Sequence, residues 1–167
     1  MPSPIGHGLA GISVAWFTTP RARRSVAITC ALLAASPDID VLSGSHRGPT
    51  HSLAAVALVC AVAVVFSGAW RLPAARVAAA CGLAYASHLL LDWLGKDTAA
   101  PYGIMALWPF SSRYYWSGAD LFMEISRRYW KGDEFIVGNL RSLVVELALL
   151  LPIAALAYFL RIRRKTE

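Results

Sequence analysis

The stretch S-L-A-A-V-A-L-V-C-A-V-A-V-V-F-S-G-A-W, residues 52–70, carries no charged side chain. As an α-helix rising about 1.5 Å per residue, it would reach about 28 Å, enough to cross a hydrocarbon core. Pro73 follows and marks a tight connection. Residues 74–94 form a second apolar run, interrupted by Arg76 near its start and by His88 and Asp92 near its end. Residues 142–160 form a third, carrying Glu146 and Pro152. Two shorter runs, residues 5–17 and 25–35, need tilt, flanking residues or burial to serve as spans.

The expectation is an all-α, multi-pass transmembrane bundle of about five apolar helices, forming one integral-membrane domain over residues 1–167. Within it, residues 1–115 carry the motifs, 116–141 form an interfacial segment, 142–160 a C-terminal transmembrane helix and 161–167 a basic tail. Composition agrees. Of 167 residues, 57% are hydrophobic and 16% charged, against roughly 45–50% and 25% in average soluble domains. Disorder and a small soluble enzyme are thereby excluded. Cys30, Cys60 and Cys81 all sit in apolar stretches without a C-x-x-C pair, and read as packing residues.

The net charge of +6 raises the question of nucleic acid, but the placement of the charges answers it. Arg21, Arg23 and Arg24 form one cluster, and Arg161, Arg163, Arg164 and Lys165 another. Each abuts an apolar run, as cytoplasmic flanks of membrane helices do, so the expected partner is a bilayer and not a nucleic acid. No basic residue precedes the first apolar run, which argues against a secretory signal peptide. With the basic clusters and the Arg71–Arg76 connection in the cytoplasm, the segments 36–51 and 95–141 fall on the extracytoplasmic side. Tyr102, Trp108, Phe110 and other aromatics of the second segment suit a membrane–water interface or a pocket wall. Leu121, Phe122, Ile125 and Tyr129 are spaced for one side of an interfacial helix.

That topology gathers all four histidines, His7, His46, His51 and His88, toward one side, together with Asp38, Asp40 and Asp92. His88 and Asp92 are four apart in an apolar helix and so share one face. A carboxylate there is costly unless it is paired or functional. Asp38 and Asp40, in S-P-D-I-D, read alone as a turn; beside histidines they suit a cation. H-R-G-P-T-H-S, residues 46–52, has a Gly-Pro turn, a helix cap at Thr50 or Ser52, and His51 at a helix start. In this reading His7, Asp38, Asp40, His51, His88 and Asp92 are metal-site residues. His46 is a further ligand or the acid/base, and Arg47 a phosphate contact. A mixed His/Asp set fits Zn²⁺, with Mn²⁺ or Fe²⁺ as alternatives and one or two ions, better than calcium. There is neither a G-x-S-x-G elbow nor a Walker-type loop.

His7, S-P-D-I-D, H-R-G-P-T-H-S, then S-H-L-L-L-D-W at residues 87–93, P-Y-G-I at 101–104 and W-P-F at 108–110 occur in that order. This order resembles the YdjM-type family of membrane-bound metal-dependent hydrolases over residues 1–115. The family is distantly similar to the zinc-dependent phospholipase C and single-strand nuclease superfamily. By that likeness His88 and Asp92 are ligands, and Asp38 or Asp40 binds or bridges. With four histidines and one H-x-x-x-D, this chain departs from that superfamily's three-zinc pattern. The resemblance implies an inner-membrane hydrolase of phosphoesters, of lipid or lipid-linked kind. The competing reading is a metal or proton transporter that uses the same residues.

Overall fold

A computed structural model describes residues 2–21, 23–43, 47–98, 100–126 and 128–166. The described residues form five α-helices: α1 Pro4–Thr18, α2 Arg24–Ala35, α3 Leu53–Val65, α4 Ala74–Leu94 and α5 Asp133–Thr166. Three helical stretches are long and apolar enough to cross a membrane: Arg24–Leu42, Ala74–Leu94 and Asp133–Arg164. α2 reaches that length because a 3-10 turn, Ser36–Ser43, continues it.

The run at 52–70 is helical over less of its length than its composition predicts. α3 stops at Val65 and a 3-10 turn, Ser67–Trp70, follows, so α3 is a shorter apolar helix. The interfacial helix expected around Leu121–Tyr129 is not formed among the described residues. Pro101, Gly103, Pro109 and Gly118 break up the 95–128 segment into turns and extended pieces. Its Phe122 is tucked between Leu91 of α4 and Leu150 of α5. The last helix also begins earlier than expected, with Asp133 and Glu134 favourably placed in its first turn.

α1 packs against α2, α4 and α5, and α3 packs against α4. α4 is the inner helix: 56% of its membrane-length window is buried, against 22% in each of the other two. Outward-facing positions such as Leu32, Leu58, Leu151 and Phe159 are apolar and exposed, as expected where the surroundings are lipid. Small residues let the inner helices approach. A Cβ at Gly11 would overlap the Cys30 carbonyl oxygen and lie 2.7 Å from Ala34 Cβ. At Gly8 it would meet nothing within 4 Å.

α5 is tied to α1 by a buried carboxylate. Glu146 Oε1 accepts from Ser3 N at 2.7 Å and from Ser3 Oγ at 3.1 Å, while Ser3 Oγ caps the Gly6 N–H at 3.2 Å. The acid therefore sits where the α1 dipole is positive, and the missing side chain of Gly6 leaves it room.

These contacts predict a sign reversal. Alanine favours a helix over glycine by about 1 kcal/mol, so Gly8→Ala should leave the thermal midpoint in detergent unchanged or raised. Gly11→Ala should lower it by the equivalent of about 1–3 kcal/mol of overpacking. Equal midpoints for the two variants would contradict the close α1–α2 packing.

Candidate metal centre

The distinctive chemistry lies at one end of the bundle, where α1 begins and where α2 and α4 end. Asp92 is in the last turn of α4, with His88 one turn before it. Neither side chain is exposed. His88 Nδ1 lies 2.7 Å from the Ala34 carbonyl. A carbonyl oxygen only accepts, so Nδ1 carries the proton and Nε2 is left with its lone pair. Ala34 is in the last turn of α2, where carbonyls lack helical partners. Pro37, three residues on, has no N–H to offer it.

His51 belongs to a short 3-10 turn, Pro49–His51, and Ser52 then caps α3 by accepting from Ala55 N at 3.1 Å. Its Nδ1 lies 3.2 Å from Asp40 Oδ2. Donation to that carboxylate turns Nε2 inward, where it meets His88 Nε2 at 3.0 Å. Asp92 Oδ2 lies 3.5 Å from His51 Nε2 and 3.4 Å from His88 Nε2. Asp38 Oδ1 lies 4.0 and 3.8 Å from the same two atoms. The donor atoms of Asp38, His51, His88 and Asp92 all fall within 4.8 Å of one another.

Carboxylate oxygens of this group lack hydrogen-bond partners among the described residues: both Asp92 oxygens and Asp38 Oδ1 are buried without one. Such burial is costly, and buried polar atoms are normally paired. Two imidazole lone pairs and two carboxylate oxygens, with their second ring nitrogens bonded elsewhere, fit a divalent cation: the donor set is that of a tetrahedral or open N/O site. Burial alone would lower the His51 pKa, but hydrogen bonds to Asp40 and Asp92 and their negative charges push it up to about 9. Without a metal, the cluster holds a proton there.

The remaining predicted residues divide. His7, wholly buried, stacks on His88 with ring centroids 3.8 Å apart and places Nε2 3.3 Å from Asp92 Oδ1. It faces Oδ1 of Asp92, whereas His51 and His88 face Oδ2. Asp40 is a brace: its Oδ2 also accepts from Arg47 N and Thr50 Oγ1, both at 2.8 Å. The Arg47 side chain pairs with Asp97, and Asp97 Oδ2 also accepts from Gly103 N at 2.7 Å. Arg47 thus ties the 95–105 segment down beside the site. Tyr102 on that segment and Trp108 and Phe110 beyond it are exposed, and Tyr102 packs on Trp116 with centroids 6.2 Å apart. Exposure suits the interfacial role expected of them rather than a pocket wall. His46 lies outside the described residues.

Sequence reading missed Asp97, Thr50, Tyr85 and Glu146. Tyr85 OH donates to the Thr50 carbonyl at 2.7 Å, which fixes the turn that carries His51. Its signal was available: Tyr85 lies three residues before His88, on nearly the same helix face.

The family model for the YdjM inner membrane protein family matches residues 1–165. The chain belongs to the YdjM inner membrane protein family. No curated protein matches this YdjM-family chain. No solved structure matches it either.

Two outcomes follow for the purified YdjM-family protein. Zn²⁺ should bind at about one ion per chain, and His88→Ala or Asp92→Ala should abolish it. Asp40→Asn should retain the ion with affinity weakened by about tenfold to a hundredfold, as for outer partners of ligating histidines. Because the ion must displace the His51 proton, affinity should rise by about tenfold per pH unit below 9 and level off above it. Isothermal titration across pH measures both; a pH-independent affinity would remove His51 from the site.

Proposed function

We propose that this protein is a membrane-embedded, metal-dependent hydrolase that cleaves a phosphoester of a lipid or lipid-linked molecule. The observation that carries this reading is the meeting of four ligand-type side chains, His51, His88, Asp38 and Asp92, at one rim of an apolar bundle, with buried oxygens of Asp38 and Asp92 lacking a hydrogen-bond partner among the described residues. Asp38 is the open edge of the cluster, with 17% of its side chain exposed while the other three have none. Exposed Ile39 and Leu42 flank that edge, so a substrate arriving there brings a phosphoryl group to the donors and finds apolar surface beside them. On the positive-inside rule the basic end faces the cytoplasm and this rim the opposite surface.

Zn²⁺ suits two nitrogen and two oxygen ligands, and Mn²⁺ or Fe²⁺ is compatible with them. Bound there, the cation supplies Lewis acidity toward a phosphoryl oxygen and acidifies the water it binds. The chain's own groups prepare the site. Ala34 and Asp40 fix the tautomers of His88 and His51. His7 holds the outer side of Asp92. Asp97 and Arg47 pin Gly103 and its neighbours beside the turn that carries His51. His46 is the proposed acid/base.

Transport by the same residues is the competing reading. Apart from Glu146, the buried ionisable residues among those described lie at the rim or at Arg47 beside it. That leaves no ladder of polar steps across the bundle.

The test is hydrolysis by protein in nanodiscs, assayed on phospholipids and simple phosphoesters with Zn²⁺ or Mn²⁺. Turnover should appear, stop with a chelator, and fall by about a thousandfold in His88→Ala, the loss expected when several kcal/mol of Lewis-acid stabilisation goes. Metal-dependent ion flux in proteoliposomes with no ester cleavage would overturn the hydrolase reading in favour of transport.

A further inference from the structure

The end of the bundle remote from the histidines holds a second distinctive surface. A cleft of about 820 Å³ opens there, lined by residues of α1, α2 and α5 and of the α1–α2 connection. Trp16 on its wall is nine residues beyond His7 along α1, so the two surfaces are separated by about 13 Å of helix rise. Arg21, Arg23, Arg24 and Arg161 line the cleft together with Trp16 and Tyr158. The remaining lining is apolar: Ile12, Ala27, Ile28 and Ile162.

We propose that this cleft binds one anionic phospholipid, its phosphate among the arginines and an acyl chain along α2. Charge selects the headgroup. No acidic residue lines the cleft, and Arg21, Arg23 and Arg24 meet no carboxylate among the described residues. Arg161 is already positioned: its Nε donates to the Pro20 carbonyl at 3.2 Å, and its guanidinium lies 5.9 Å from the Trp16 ring centroid. Arg164 holds the Phe17 carbonyl at 3.2 Å, which fixes the end of α1 against α5. Four cations gathered in one concavity repel one another, and a phosphate relieves that repulsion.

Depth selects a lipid over a soluble anion. Arg24 opens one membrane-length stretch and Arg164 closes another, so the cleft sits at the boundary of the spanning region. Trp16 and Tyr158, whose rings are 5.2 Å apart, are the residue types that favour that boundary. Ile28 and Leu32, four residues apart on α2 and both exposed, continue the apolar surface away from the arginines. A free phosphate would use the arginines and leave this surface unexplained.

Native mass spectrometry of delipidated full-length protein tests the proposal, with equimolar dioleoyl phosphatidylglycerol and dioleoyl phosphatidylcholine as probes. The phosphatidylglycerol adduct should dominate. Arg21→Gln/Arg23→Gln/Arg24→Gln should reduce that preference by at least about tenfold, while its metal content stays that of the wild type. The single variants, which serve if the triple fails to fold, should each lose a part of it. Arg113→Gln/Arg128→Gln, exposed positions in other segments, should lose none. Equal adducts of the two lipids would overturn the proposal, as would a preference untouched by the triple and single variants. Displacement of the lipid by inorganic phosphate would make the cleft a free-anion site and overturn it as well.

Discussion

A carboxylate buried at the end of an apolar helix is the constraint on which the rest of this structure depends. Asp92 has no exposed side-chain surface and no hydrogen-bond partner among the described residues for either oxygen. In surroundings of that kind an uncompensated carboxylate costs several kcal/mol. Three imidazoles converge on it from three different elements: His7 from α1, His51 from the turn before α3, and His88 from α4 itself. Their Nε2 atoms lie 3.3–3.5 Å from its oxygens, while the Nδ1 atoms of His51 and His88 face Asp40 and Ala34. Positive charge beside it is what this geometry calls for, and the His/Asp group around it could hold a metal ion.

The helical packing can be understood as the means of holding these groups. Gly11 lets α1 lie against α2, and His7 of α1 stacks on the His88 ring that the Ala34 carbonyl of α2 orients. Glu146 docks α5 on the N-terminus of α1, one turn from His7. It is itself a buried acid with one oxygen, Oε2, lacking a partner among the described residues, but here the Ser3 donors and the helix dipole answer the other. The bundle thus contains two buried carboxylates handled in different ways. One is answered by backbone and hydroxyl donors and is structural. The other, Asp92, is ringed by imidazoles and is a candidate metal ligand.

The helical class was legible in the sequence because long uncharged runs leave few alternatives. The site was legible for a related reason: in apolar helices each His and Asp stands out. The roles of Asp40 and Arg47 were not legible. Asp38 and Asp40 are equivalent on paper; only the turn decides that Asp40 faces the Nδ1 of His51 while Asp38 faces the Nε2 atoms. Arg47 carried no sign of its partner, since Asp97 lies 50 residues away in a segment without periodicity. The interfacial helix expected in that segment does not form among the described residues, because Leu121 and Phe122 are held by pairing with Leu94 and Lys96. The span at 52–70 was overestimated because hydropathy cannot see the turn after Val65.

X-ray absorption at the zinc edge of the metal-loaded protein addresses the central claim most directly. The account predicts a first shell of nitrogen and oxygen at about 2.0–2.2 Å with the outer-shell signature of two imidazoles; that signature should be lost in His88→Ala. A shell containing sulfur, or one of oxygen alone without imidazole scattering, would contradict it.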